Sequence, residues 1–191
     1  FLGEAKTLET GTPILEAQIS PNNLPTRRLE PGTENVEILR LQLVASLQEA
    51  TESPYSEGVL LKKLKFKRVS EHDRDQILRY KLMHQNKILG KISLPDSDFM
   101  EFKNLSLLIP YGNTFELKIL ADISTGDFSG NHKFEISLPE YLTTENKDIR
   151  EPIVFVQGGF PIQANRILIG KEVNYESPSP DCNLREEPVC G

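Results

Sequence analysis

The sequence predicts an all-β protein, an antiparallel two-sheet sandwich of about nine or ten short strands with an extension at each end. Three observations lead there. Apolar residues recur at every second position through most of the chain, turn residues interrupt these runs at regular spacing, and no segment sustains the 3.6-residue period of an amphipathic helix. A closed barrel would share this pattern.

The elements follow in order. "PILEAQIS" (13–20) is the first strand, and "PNNLPTRRLEPGTEN" after it is a loop. In "VEILRLQLVAS" (36–46), Leu39, Leu41, Leu43 and Ala45 share one face, because successive side chains of a strand point to opposite sides. "GVLLKKLKFKRV" (58–69) places Leu60, Leu64 and Phe66 on one side and Lys63, Lys65 and Lys67 on the other, as in a half-buried antiparallel strand. "SEHDRDQ" (70–76) reads as a loop or one helical turn capped by Ser70. "ILRYKLMHQNKILGKISL" (77–94) reads as a hairpin around "QN", with Asn86 taking the positive φ. "DFMEF", "LSLLIP" and, beyond the turn "YGN", "TFELKILADIS" (114–124) continue the series. "TGDFSGN" turns the chain into "HKFEISLPE" (132–140), and "PIVFVQGGFPIQANRILIG" (152–170) holds two more β-rich runs around Gly158 and Gly159. One domain spans 13–170, flanked by extensions 1–12 and 171–191.

At 191 residues the chain can build one core of ordinary size. Its 22 Lys and Arg against 28 Asp and Glu leave a net charge of −6, which opposes general affinity for phosphate backbones and anionic lipid. Nucleic acid is not an expected partner. The most apolar stretch, "LSLLIPY", is broken by Pro110, and no run approaches the roughly eighteen apolar residues that span a bilayer.

Both cysteines, Cys182 and Cys190, fall in the closing "DCNLREEPVCG". Two thiols so close in a Pro-containing tail are expected to form a small disulfide ring, which requires an oxidising compartment. Zinc would need about four ligands, and the three histidines are all far from the tail in sequence. Closing a ring of about nine residues contributes roughly 2.5 kcal/mol in the chain-entropy picture. The start at Phe1 fits removal of a signal peptide or of a laboratory tag. An extracellular or cell-surface location is the expectation.

Chemistry is sparse. No G-x-S-x-G occurs, and His72, His84 and His132 are scattered, so an enzyme is not expected and no cofactor is called for. "PDSD", "HDRD" and "ADISTGD" cluster carboxylates without EF-hand spacing; solvated turns are the simpler reading, with calcium at Asp122 and Asp127 as the alternative. "KKLKFKR" (62–68) invites a nucleic-acid or glycan reading, yet alternation explains every lysine in it except Lys62 as the wet side of a strand. Stacking platforms for glycan are few, with no Trp and five Tyr. "NLS" makes Asn104 a formal glycosylation sequon.

Taken together, "TENVEILRLQLVAS", "LLKKLKFKRVSEHDRDQILRYKLMHQNKILGKIS", "LLIPYGNTFELKILADIS" and "GGFPIQANRILIG" resemble the immunoglobulin-like surface modules of long secreted and surface-layer proteins of bacteria and archaea. The resemblance covers residues 13–170 and implies an immunoglobulin-like sandwich. Two features depart from it: Ala164 stands where such modules often carry Gly, and segment 46–58 is longer and more acidic. Such modules usually stand in tandem, whereas this chain has one copy. A lone module with extensions is expected to work by joining others. The extension "FLGEAKTLETGT" offers Phe1, Leu2, Ala5 and Leu8 as anchors for strand addition to a neighbour's sheet edge. The expected role is a secreted structural subunit that polymerises with copies of itself into a filament or layer. The alternative is a monomeric module that binds a surface glycan or protein.

Overall fold

A computed structural model describes residues 12–48, 57–70, 76–93, 97–126, 129–148 and 154–170. Phe1, Leu2, Ala5, Leu8, Asp127, Cys182, Cys190 and the 71–75 segment lie outside these residues. The strands are β1 (Thr12–Ile19), β2 (Arg27–Leu29), β3 (Val36–Gln48), β4 (Gly58–Ser70), β5 (Ile77–His84), β6 (Lys87–Ser93) and β7 (Phe99–Phe102). There follow β8 (Leu107–Pro110), β9 (Thr114–Ile123), β10 (Gly130–Ile136), β11 (Leu142–Asn146), β12 (Phe155–Gly158), β13 (Ile162–Gln163) and β14 (Ile167–Ile169). A 3-10 turn, Pro139–Tyr141, precedes β11. The excess over nine or ten comes from short pieces such as β2, β11 and β13, which are too brief to show readable alternation.

The strands form two sheets that do not close into a barrel. The first runs β12-β1-β3-β9-β5-β6, and the second is built around β4. Neither is purely antiparallel, which corrects the sequence expectation. β12 lies parallel to β1, and β14 lies parallel to β2. Strand direction is set by how distant segments cross between the sheets, and side-chain alternation is the same in either direction.

β4 organises the second sheet. On one side it pairs with β11 through Val59–Leu64 and with β10 through Lys67–Ser70. On the other it pairs with β8 through Gly58–Leu61 and with β7 through Leu64–Lys67. Each flank is thus one strand broken in the middle. On the β8–β7 flank the break, between Leu61 and Leu64, falls at a register shift in β4, where Thr144 pairs with Leu61 but Thr143 with Lys63, whereas the β11–β10 break comes just beyond it, between Leu64 and Lys67. This bulge, with Lys62 as the extra residue, changes which alternate residues point inward. Val59 and Leu61 are buried before it, and Leu64, Phe66 and Arg68 after it. Leu60, expected inside, is only partly buried, and Arg68 takes a core position while Val69 is turned outward.

The sheets meet through aromatic side chains. Phe66 of β4 packs edge-on against Tyr80 of β5 with centroids 5.2 Å apart, stacks on Phe102 at 5.8 Å and meets Phe134 at 6.4 Å. Rows from both sheets, such as Leu39, Leu41 and Leu43 facing Leu61, Leu64 and Ile136, complete one continuous core. In the β5–β6 hairpin the positive φ falls on Gln85, at 51°, and not on the expected Asn86.

Replacing Phe66 with Ala removes the ring common to these contacts. We expect a loss of about 3–5 kcal/mol, read as a lower denaturant midpoint with an unchanged slope.

Candidate functional site

Two arrangements stand out among the described residues, one at a sheet edge and one on a sheet face. The edge site forms because β10 and β11 are separated by the turn at Pro139–Tyr141. β13 and β14 cover the outer side of β10 only, so β11 faces β12 of the other sheet across a gap. The gap is a groove of about 480 Å³ lined by Pro139, Glu140, Leu142, Thr143, Thr144, Val154, Phe155 and Val156. Phe155 is 66 % exposed, more than any other large apolar side chain described. β12 reads Phe-Val-Gln-Gly and carries no charge. Gly158 seats it, because a Cβ there would come 2.0 Å from the Ala17 carbonyl oxygen.

The opposite side of the sandwich is treated differently. Its edge strand β6 carries Lys87 and Lys91, exposed charges that discourage pairing with another strand. There the sheets also close on each other, with Gly90 leaving only 3.0 Å between its Cβ position and Phe102. Among the described residues, β6 is a guarded edge and β12 is not.

The second arrangement lies on the outer face of the first sheet. Alternation turns Lys81 and Asp122 away from the core, between the inward pairs Tyr80 with Leu82 and Ala121 with Ile123. Yet they are only 8 % and 6 % exposed. The loop before β3 covers them, held by Thr33 O accepting from Ile123 N at 2.8 Å and by Gly32 N donating to Ser124 O at 2.9 Å. Lys81 Nζ donates to Asp122 Oδ1 and lies 2.8 Å from Oδ2 as well. It also donates to Asn35 Oδ1 at 2.6 Å. Asn35, at a φ of 54°, sends its own backbone N–H to Asp122 Oδ1 at 2.9 Å. Arg79 Nη1 lies 3.6 Å from Asp122 Oδ2.

Burial alone would push the Asp122 carboxyl up, but hydrogen bonds from Lys81 and Asn35, with the Lys81 and Arg79 charges, hold it below its ordinary value of 3.8. A lowered native value means that ionised Asp122 adds stability fully present above the unfolded value and lost as the pH falls through the native one. The calcium reading paired this residue with Asp127, and here the Asp122 carboxylate is engaged by an ammonium.

Other sites expected from sequence stand apart. Asn104 is exposed with a φ of 55° in the turn between β7 and β8. Lys65 and Lys67 do face outward as alternation requires, and their ammoniums sit 4.6 and 5.7 Å from the Phe99 ring centroid. Lys65 also lies 4.8 Å from the Tyr141 centroid. Arg68 is instead wholly enclosed, 3.3 Å from Asp98. Burial pushes the neighbouring Tyr80 phenol well up, and the Arg68 charge opposes this only in part. His132 Nε2 meets Gln76 Oε1 at 2.7 Å in the same buried region. Sequence reading missed the Asn35, Lys81 and Asp122 grouping; a lysine and an aspartate at outward strand positions look like ordinary wet residues.

No protein-family model matches the chain, and no curated protein matches it in sequence. Solved structures that it is similar to include a protein that catalyses macrocyclization in alchivemycin A biosynthesis, at 10 % identity over 85 % of this chain and 91 % of that one, with a TM-score of 0.33. Another is a family 123 glycoside hydrolase from Clostridium perfringens, at 14 % identity over 82 % of this chain and 27 % of that one, with a TM-score of 0.32. A third is the bacterial hydrophobin BslA, at 10 % identity over 84 % and 92 % of the two chains, with a TM-score of 0.19. Backbone agreement this loose carries neither fold nor activity across to this chain. Among the described residues no helix is long and apolar enough to cross a membrane.

Two measurements check the covered charge pair. Lys81→Met takes the nearest charge from a buried carboxylate and leaves it the Asn35 N–H and Arg79; it is expected to cost about 3 kcal/mol, the low end for a broken buried pair, most of it recovered in a Lys81→Met/Asp122→Leu double variant. In acid titrations followed by circular dichroism, wild type should lose stability more steeply than Asp122→Asn below about pH 4.

Proposed function

We propose that the chain is an immunoglobulin-like, secreted structural subunit that joins copies of itself into a filament or surface layer by strand addition. The observation that supports this reading best is the uncharged edge strand β12, with Phe155 66 % exposed above an apolar groove, opposite an edge guarded by lysines. Monomeric proteins normally blunt such an edge with charge, a bulge or a cover. An extended segment entering the groove would gain main-chain hydrogen bonds from an open strand and a pocket for alternate side chains.

The occupant we assign is the N-terminal segment of a second copy. As a strand, "FLGEAKTL" turns Phe1, Gly3, Ala5 and Thr7 to one side and Leu2, Glu4, Lys6 and Leu8 to the other. The first side is free of charge and suits the groove; the second keeps Glu4 and Lys6 in water. Donor and acceptor are different surfaces, so the contact is heterologous and extends head to tail. A second reading, a monomer that binds glycan, draws on the Lys65, Phe99 and Tyr141 surface of β4 and its neighbours.

Phe155→Glu and deletion of residues 1–11 should each abolish assembly measured by light scattering, and a free peptide of residues 1–11 should compete with it. Assembly undiminished in Phe155→Glu rejects the groove. A stable monomer retained on a polysaccharide column favours the second reading.

A further inference from the structure

We propose that the outer face of the second sheet binds an acidic polysaccharide, a chain of carboxylated sugars laid across the strands from β7 to β13. The residues stand in one register line: Phe99 pairs with Lys67, Lys67 with Glu135 and Glu135 with Gln163. At the ordinary strand spacing this line is about 14 Å long, room for several sugar units. At one end is an aromatic pair. Phe99, 44 % exposed, meets Tyr141 edge-on at 6.3 Å, and the Lys65 ammonium lies 4.6 and 4.8 Å from the two ring centroids. At the other end is a polar cavity of about 350 Å³ lined by Thr26, Lys133, Gln163, Ala164, Asn165 and Arg166. Between them Lys133 donates to Gln163 Oε1, and Gln163 Nε2 donates to Glu135 Oε2 at 2.9 Å.

Charge selects the ligand class. Lys65, Lys67, Lys133 and Arg166 stand together on this stretch of a chain whose net charge is −6. The carboxylates beside them are engaged elsewhere: Glu101 by Lys103 at 3.1 Å, Glu135 by Ser137 and Gln163, and Asp98 by the enclosed Arg68. Among the described residues none of these four cations has a carboxylate within ion-pair distance. A lysine ordinarily loses rotamer freedom when it takes an anion, and the two rings that already place the Lys65 ammonium lower that cost. A sugar carboxylate meets Lys65 and Lys67, while the apolar C–H face of the ring lies on the exposed part of Phe99. At the far end Arg166 and Lys133 receive a second carboxylate, with Thr26 and Asn165 beside them for sugar hydroxyls. An uncharged glycan leaves the four cations unused. Nucleic acid brings a phosphate at every step, which Glu101, Glu135 and Asp98 oppose. The site rests on the glycan surface of the second reading, and it stands whether or not the chain assembles.

The test is a set of binding isotherms of the full chain on immobilised polygalacturonate, an uncharged glucan, polyglutamate and single-stranded DNA at neutral pH, with light scattering of the same samples to follow assembly separately. The expected result is preference for polygalacturonate over the other three, weakened by added salt. Phe99→Ala and the Lys65→Gln/Lys67→Gln double variant change surface side chains, should fold, and should each weaken binding about tenfold or more. Lys91→Gln on β6 should bind as wild type does. Equal binding to the glucan overturns the acidic class while leaving the glycan reading in place, and equal binding to polyglutamate or DNA overturns the sugar. Binding to no polysaccharide overturns both the proposal and that reading. Binding to polygalacturonate that is undiminished in both variants overturns its placement on this face.

Discussion

The second sheet depends on the bulge at Lys62 in β4, where one extra residue shifts the strand's inward set from Val59 and Leu61 to Leu64, Phe66 and Arg68. A continuous two-residue period would put Phe66 and Val59 on opposite faces, and one half of the strand would then turn its apolar row to water. The shift lets a thirteen-residue strand serve the core along its whole length. Its neighbours break nearby, β8 giving way to β7 at the bulge, between Leu61 and Leu64, and β11 to β10 just beyond it, between Leu64 and Lys67. Phe66 owes its place against Tyr80 to this change of phase, and through that contact the two sheets are joined.

The break between β10 and β11 produces the opening in the sandwich. Because the chain leaves the sheet as the 3-10 turn at Pro139–Tyr141 before resuming as β11, the strands that cover β10 do not continue over β11. What remains is a groove between edges of different sheets. The closed side, where Gly90 lets β6 approach Phe102, shows that the two sheets can meet without such a gap.

Charge is handled in two ways on this molecule. Lys65 and Lys67 lie over aromatic rings at the surface, where their stems cover apolar area and their ammoniums stay wet. Lys81 lies at an equally outward strand position but beneath a loop, where its ammonium is compensated by Asp122 and Asn35. The difference arises from the loop, not from the strand.

How much of this was readable beforehand follows from what alternation encodes. The positions of β1, β3, β4, β5, β6 and β9 could be read because each has enough residues for a two-residue period to show, and turn residues bound them. Parallel pairing of β12 with β1 could not be read, since side-chain period is blind to strand direction. Nor could the inward turn of Arg68, because the bulge that causes it has no signature beyond one surplus lysine. Asn35, Lys81 and Asp122 are separated by up to 87 positions along the chain. By itself the sequence determined that the protein is made of strands with one apolar face. The tertiary structure alone decided which edges stay open and which charges are sealed, because both depend on contacts between segments far apart in the chain.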